Sequence, residues 1–376
     1  AMAAILLKPP GNFFCKSGRP HSGTYICTMY RHKITIPKAG NHETPAERIP
    51  MNIIEAKNLT KTYRRFLKPE GLRGSIKSLW RREYIQKDAV SSLNLSVAEG
   101  ELIGLIGPNG AGKTTLTKMF TGIIAPTSGE LSVLGYYPND LKNEFKQQYA
   151  VVMGQKSQLF FELTANDTLH LFKEIYGLSE STFHETKDYF TNLFQVRHLM
   201  DVQVRTLSLG ERMKMELIVA LLHNPRILFL DEPTIGLDAI ASRQIRTFLR
   251  QVNRERGTTI LLTSHYMEDI KALCPRCVVI NHGKKIYDGS TEALFENYQQ
   301  NKRISATFPQ PPTDLSLPDG AQIIEQTPYK LVFQTPKESV ASVLTDLMQH
   351  YPADISVEEE EIGAVVERIY EENKTV

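Results

Sequence analysis

The sequence predicts an α/β protein: a mainly parallel sheet with crossover helices and an inserted helical subdomain, followed by a small C-terminal α+β domain. Three observations lead there. From Met51 to about Tyr298, short β-rich apolar runs alternate with longer helical stretches, as parallel strands joined by helices require. Between about residues 165 and 222 the strand-like runs give way to helical periodicity. From residue 303 the pattern changes to short alternating strands around one amphipathic helix.

Residues 1–50 carry scattered Gly, Pro, His and Lys without a sustained period, so a poorly ordered N-terminal extension is expected. AMAAILL is apolar, but Lys8 and two prolines follow at once and no small-residue cleavage site is evident, which argues against a signal peptide and for a cytosolic chain. A translation start at Met51 would make the preceding part an appended leader. MNIIEAKNL then opens the first strand of a domain over 51–298. ELIGLIG, RILFLD, TTILLTS and RCVVI are near-continuous apolar runs, the pattern of central strands buried on both faces. The helical subdomain begins with ANDTLHLFKEIYG and holds two or three helices. In AIASRQIRTFLRQVNRERG, Ala241, Ile245, Phe248, Leu249 and Val252 fall on one stripe, which should lie against the sheet. In the accessory domain, 303–376, ISATF, QIIEQ and KLVFQT read as strands and SVASVLTDLMQHY as a helix. The run from Glu358 to Glu361 is expected to be a solvated edge before a last helix.

Composition narrows the function classes. With 376 residues and 41% hydrophobic content the chain can bury an ordinary core, and 44 basic against 42 acidic residues leave a net charge of +2. No global field therefore favours nucleic acid or an anionic membrane. No run approaches the roughly 18 apolar residues of a membrane-spanning helix. The four cysteines, at 15, 27, 274 and 277, are too unevenly placed for a disulfide framework. Cys274 and Cys277 form a C-x-x-C, either half of a zinc or redox site or a helix end meeting a buried strand; without a second pair nearby, the latter is favoured.

Two motifs carry chemistry. GPNGAGKTT, residues 107–115, follows a strand and precedes a helix, and fits G-x-x-x-x-G-K-[ST] in the P-loop NTPase setting. Its glycines let backbone N–H groups turn toward a phosphate chain, the helix start adds a positive dipole end, Lys113 reaches the β- and γ-phosphates, and Thr114 holds Mg²⁺. A Gly-rich turn capped by Lys is the bland alternative. The second motif is ILFLDEPTIGLD. If phosphates and Mg²⁺ lie at the carboxyl ends of the strands, Asp231 supplies a second metal contact and Glu232 polarises the attacking water. Alone, such a pair also suits a helix cap or a surface turn.

RTLSLGERMK, residues 205–214, narrows the choice further. With it the chain resembles the ATP-binding cassette (ABC) ATPases over about residues 53–298: LSLGE looks like their LSGGQ signature, Gln155 in VVMGQKSQ like the Q-loop, Asp238 ending IGLD like the D-loop, and His265 in LLTSHYMED like the switch histidine. The resemblance implies that ATP and Mg²⁺ are bound by Tyr63 or Tyr84, stacking on adenine, and by Gly107, Pro108, Asn109, Gly110, Ala111, Gly112, Lys113, Thr114 and Thr115. It implies that Gln155 touches the metal and the attacking water, that His265 contacts the γ-phosphate, and that Ser208, Gly210 and Asp238 complete the site of a second subunit. Ser208 and Glu211 also form an S-x-x-E capping box, so one helix start serves both readings. The resemblance also implies a P-loop NTPase core of the ABC ATPase type with an antiparallel β-subdomain beside the helical one, and the chain departs from the family at Leu209 and Glu211.

The expected protein is the ATP-hydrolysing subunit of a transporter, an exporter by resemblance, working as a dimer beneath a separate transmembrane permease at the cytoplasmic face of the membrane. The alternatives are a soluble ABC ATPase acting on ribosomes or DNA, and a nucleotide-binding regulator with little turnover. The segment 64–88 is longer than the family's usual crossing at this point. Nine basic and two acidic residues lie between Lys61 and Lys87, with Ile76, Leu79 and Trp80 as a short apolar stripe, so it is expected either near the membrane or permease or as a solvated excursion.

Overall fold

The first two strands of the domain make a long hairpin: β1 (Asn52–Leu67) and β2 (Glu83–Ala98) pair antiparallel. The structure, a computed structural model, describes residues 52–67, 83–154, 156–264, 267–298, 300–312, 317, 320–360 and 368–369, all within one compact unit spanning residues 50–376. The N-terminal extension expected over 1–50 lies outside the described residues, and so do Ile76, Leu79 and Trp80. The described flanks of the basic segment continue the hairpin, with Arg64 opposite Gln86 and Phe66 opposite Tyr84.

Next come β3 (Leu102–Ile106), helix α1 (Lys113–Phe120) and β4 (Ser128–Val133); β4 returns to β1, giving an antiparallel sheet ordered β2-β1-β4. A short α2 (Asn143–Lys146) precedes β5 (Tyr149–Met153). The stretch from 165 to 222 contains three helices: α3 (Ala165–Tyr176), α4 (Glu180–Leu193) and α5 (Leu209–Leu221). A capping box between Thr164 and Asp167 starts α3, and Gly177, in the left-handed region at φ 63°, ends it.

The chain then runs through β6 (Ile227–Asp231), α6 (Ala239–Arg256), β7 (Thr259–Ser264), α7 (Met267–Leu273), β8 (Arg276–Asn281), β9 (Lys284–Ser290) and α8 (Thr291–Tyr298). Six strands form one sheet ordered β5-β6-β7-β3-β8-β9, parallel except for β9. The four runs singled out as central strands are its four inner ones.

The inner part of the sheet is covered on both faces, which explains why its four inner strands are near-continuous apolar runs. On β3, Leu102 and Ile106 join the core shared with α6, whereas Ile103 and Leu105 join the core shared with α1 and the antiparallel sheet. The α6 stripe is buried as its spacing requires: Ala241, Ile245, Phe248, Leu249 and Val252 all face inward. Phe248 also stacks on Phe194, with centroids 3.6 Å apart, which joins the sheet layer to the helical layer. Truncating such a residue to alanine costs about 3–5 kcal/mol. Cys274 and Cys277 are buried free thiols between α7 and the start of β8, and burial raises both pKa values.

The C-terminal residues build a second antiparallel sheet from β10 (Asn301–Thr307), β11 (Gln322–Thr327), β12 (Lys330–Pro336) and β13 (Asp354–Glu359), ordered β11-β12-β10-β13, with α9 (Val340–Gln349) packing Val343 and Leu347 into its core. The acidic run meets expectation only in part, with Glu358 and Glu359 exposed on an edge strand. Glu358 and Glu359 lie in β13, directly opposite Arg303 and Lys302 of β10, and Glu360 is buried and ion-paired with Arg368. The opposite charges of β10 and β13 thus meet at a solvated sheet edge, and the departure is Glu360, which is buried against Arg368.

Candidate functional site

The loop leaving β3 is shaped by close approaches that only glycine permits. A Cβ on Gly107 would lie 2.4 Å from the Ile280 carbonyl oxygen, and one on Gly112, at φ 115°, would lie 2.3 Å from that of Ala89. Gly110, at φ 82°, faces open space. Pro108 accepts from the Ala111 N–H at 3.1 Å, Asn109 is exposed, and the buried Ala111 holds the loop down by accepting from the Gly283 N–H at 2.9 Å. Gly112 caps α1 without a side chain, so the first backbone N–H groups of the helix face the loop. Thr115 is half-buried on the first turn.

Lys113 is buried, and its Nζ donates to the Gly107 carbonyl at 2.7 Å and to that of Pro108 at 3.3 Å. Burial lowers its pKa, opposed by the neighbouring carboxylates of Glu232 and Asp231. The ammonium therefore lies within electrostatic reach of both acids that end β6. Thr114 faces the same carboxylates: its hydroxyl donates to the two Asp231 oxygens at 3.1 and 3.3 Å. Thr263, at the end of β7, donates to Asp231 from the other side.

Glu232 follows in a strained turn. Its φ of 55° lies in the left-handed region, which costs a non-glycine residue about 1–2 kcal/mol. Two neighbours hold it there: the Glu232 N–H donates to the Thr263 carbonyl at 3.0 Å, and a Cβ on Gly154 would sit 2.2 Å from the Glu232 carbonyl oxygen. The turn breaks the strand direction at the residue that carries the second carboxylate, the kind of place where backbone strain concentrates at functional sites.

Ser208 is the N-cap of α5. Its Oγ accepts from the Glu211 N–H at 3.3 Å, while the Glu211 carboxylate accepts from the Ser208 N–H and hydroxyl, both at 2.8 Å. These bonds hold the Glu211 carboxyl below the usual carboxylate range. The capping box read from the sequence is therefore formed, and Ser208 is bonded to Glu211 rather than to the loop after β3. Leu209, exposed, lies against Gly236, and Gly210 lies against Ala241, where a Cβ would be 3.0 Å away. This packing sets the start of α5 beside the turn ending in Asp238. Asp238 itself caps α6 by accepting from the Ala241 N–H at 2.7 Å.

Tyr63 and Tyr84 are both exposed, but in the β1–β2 register Tyr63 pairs with Lys87 and Tyr84 with Phe66, which puts the two rings on opposite faces of the hairpin. Lys61 lies over the Tyr63 ring at 5.5 Å. Gln155 and His265 lie outside the described residues. Sequence reading missed Thr263, although a hydroxyl at the end of an otherwise apolar strand beside Asp231 is a signal. It also missed a buried cluster in which Asp269 accepts from Thr234 and pairs with Arg246, tying α7 to the turn after Glu232 and to α6.

These residues suit a magnesium triphosphate. The glycine loop and the uncapped start of α1 offer backbone N–H groups to phosphate oxygens. Thr114 and Asp231 bring a hydroxyl and a carboxylate together. A hard cation that completes its shell with phosphate and water needs no more than one or two carboxylates, and among the described residues no group of three or more His, Cys, Asp or Glu is set for a metal.

With that geometry in view, the comparisons are informative. A protein-family model described as "ABC transporter" matches residues 90–235. The chain is similar to "ABC transporter ATP-binding protein NatA" of Bacillus subtilis (strain 168), 36% identical over 209 residues that cover 56% of this chain and 85% of that protein. It is 35% identical over 218 residues to "Nod factor export ATP-binding protein I" of Rhizobium sp. (strain N33), covering 58% of this chain and 71% of that one. Over 269 residues it is 32% identical to "Probable multidrug ABC transporter ATP-binding protein YbhF" of Escherichia coli (strain K12), covering 71% of this chain and 41% of the relative. Among solved structures the fold is shared with a cbiO1 subunit from Clostridium perfringens, at TM-score 0.54 and 23% identity over 65% of this chain and 91% of that one. It is shared too with an ATP-binding cassette solved as a dimer with ADP and Pi, at TM-score 0.52 and 24% identity over 63% and 98%.

Proposed function

From the premise that the chain belongs to the ABC transporter family as an ATP-binding, ATP-hydrolysing subunit, we propose that two copies enclose two Mg²⁺-bound ATP molecules, each held by the loop of one copy and the Ser208 helix start of the other. Lys113 meets the β- and γ-phosphates, Thr114 and Asp231 hold the metal, and Glu232 polarises the water, with Gln155 and His265 completing the site. Tyr63 stacks on adenine. The observation that carries the reading is the convergence of Lys113, Thr114, Asp231 and Glu232 at the carboxyl ends of β3 and β6.

The work of hydrolysis goes to a separate permease, and the direction is export. Relatives named for Nod factor export and for multidrug transport support that direction. The chain meets the bilayer through that partner, at the cytoplasmic face, a reading supported by relatives named as ATP-binding proteins of transporters; among the described residues no helix is long and apolar enough to cross a membrane. Phe160, Phe161, Leu171 and Ile175 are large apolar residues left exposed just beyond the Gln155 segment and along α3, and they supply the surface for that partner. The 64–88 segment adds a basic contact.

Glu232→Gln tests the site. ATP binding, read by equilibrium dialysis, is retained, and steady-state turnover falls by about 10²-fold or more, as loss of a general base predicts. Turnover equal to that of the native chain would remove Glu232 from the role.

A further inference from the structure

One acidic residue in the core of the helical layer has no part in the site as described. Glu216 lies two turns beyond Ser208 on α5, among Met213, Met215, Leu217, Ile218 and Val219, and is itself buried. A carboxylate in such surroundings is costly unless donors surround it. Three do: Oε1 accepts from the Gln158 N–H at 2.8 Å, from the Leu159 N–H at 3.4 Å and from the Ser157 hydroxyl, and Oε2 accepts from the Gln158 N–H at 3.1 Å. All three belong to the segment that directly follows Gln155.

The neighbouring contacts run the same way. Arg212, one turn nearer Ser208, lies over the Phe161 ring at 4.9 Å. The Arg205 N–H donates to the Phe161 carbonyl at 3.2 Å, and the Val204 N–H to that of Leu163 at 3.0 Å. Residues 157–163 are thus fastened to the stretch that ends in Ser208 and α5. On the other side of Gln155 the attachment is different, since the Gly154 N–H donates to the Asp231 carbonyl at 2.9 Å. Within three residues the chain passes from the strand that holds the metal-side carboxylate to the helix whose start serves the other nucleotide.

We propose that Glu216 is a positioning residue that couples the two nucleotide sites: its carboxylate makes the segment after Gln155 and the Ser208 helix start move as one body, so that occupancy of a copy's own site sets the helix start it offers to its partner. This rests on the proposed function, because it needs each site to be shared between two copies. In this role Glu216 acts through the elements it joins, by its bonds to Ser157, Gln158 and Leu159.

The experiment compares the native full-length protein with Glu216→Ala, Glu216→Gln and Ser157→Ala, measuring ATPase rate against ATP concentration together with ATP binding. In the native protein the rate rises cooperatively, with a Hill coefficient above one. Glu216→Ala brings the Hill coefficient to one and lowers kcat about tenfold while KM stays within about twofold, the split expected when binding is intact and coupling is lost. Glu216→Gln, which keeps an acceptor oxygen but sets an amide NH₂ against the donors, falls between, and Ser157→Ala shows the same pattern more weakly. A purely structural staple would lower the melting temperature and leave the Hill coefficient unchanged. Native kcat and cooperativity in a folded Glu216→Ala protein overturn the proposal; if that variant does not fold, native behaviour of Ser157→Ala does so. Native protein that hydrolyses ATP without pairing would instead overturn the shared-site reading beneath it.

Discussion

The two regions that would grip one nucleotide, the loop after β3 and the start of α5, are built by opposite means. The loop depends on tertiary structure: Gly107 and Gly112 are pressed against carbonyls of β8 and β2, its lysine is buried, and the acids at the end of β6 come from more than a hundred residues away. The helix start is local. Ser208 and Glu211 satisfy each other three residues apart, both remain at the surface, and the exposed Leu209 and Ile240 lie beside them. A buried lysine in a glycine cradle and a self-capped helix end are two different constructions, and under the proposed function the first is an anion site finished within the chain and the second awaits another surface.

The sharpest way to break this contrast is at the loop. Lys113→Ala removes the ammonium that lies within electrostatic reach of Asp231 and Glu232 and that the proposed function sets against the phosphates. ATP affinity, measured by a fluorescent analogue, should fall about 10²-fold, as loss of a preorganised charge in a protected site predicts. If affinity were unchanged, the buried ammonium would be a structural prop.

A smaller effect is expected at the helix start. Ser208→Ala removes the cap and should cost about 1 kcal/mol in thermal unfolding. ATP binding to the single chain should stay near native while turnover drops about tenfold, since the missing contact belongs to the closed pair. Equal losses of binding and turnover would place Ser208 in its own chain's site and erase the difference between the regions.

The smallest effect concerns pH. The folded-state pKa of Glu211 is depressed by its bonds to Ser208, so its stabilisation is present above the unfolded carboxylate value and is lost as pH falls through the folded one. The melting-temperature difference between the native chain and Glu211→Gln should therefore be present at neutral pH and vanish on acidification. A difference that persisted in acid would show that the capping box does not depend on the charge.

The same contrast explains what was legible in the sequence. Local patterns carried over well: the S-x-x-E box, the stripe of Ala241, Ile245, Phe248, Leu249 and Val252, and the four apolar strands; the glycine loop was legible as a motif, although distant carbonyls shape it. What was hidden is what distant residues decide. Glu360 is buried where the run reads as solvated, and Arg368, the partner that satisfies it, is set beside it by the fold. Glu216, Thr263 and Asp269 look like ordinary helix or strand residues until the fold sets their partners beside them. The hairpin register, which parts Tyr63 from Tyr84, depends likewise on a pairing that no single stretch announces.

The central claim, that each site is shared between two copies, is tested most directly by mixing the two damaged proteins. Alone, Lys113→Ala lacks both loops and Ser208→Ala lacks both helix starts, so neither should turn over ATP at more than a small fraction of the native rate. Mixed in equal amounts, pairs of one copy each contain one site with an intact loop and an intact helix start, and the mixture should recover activity well above the mean of its components. A mixture no more active than that mean would contradict the account.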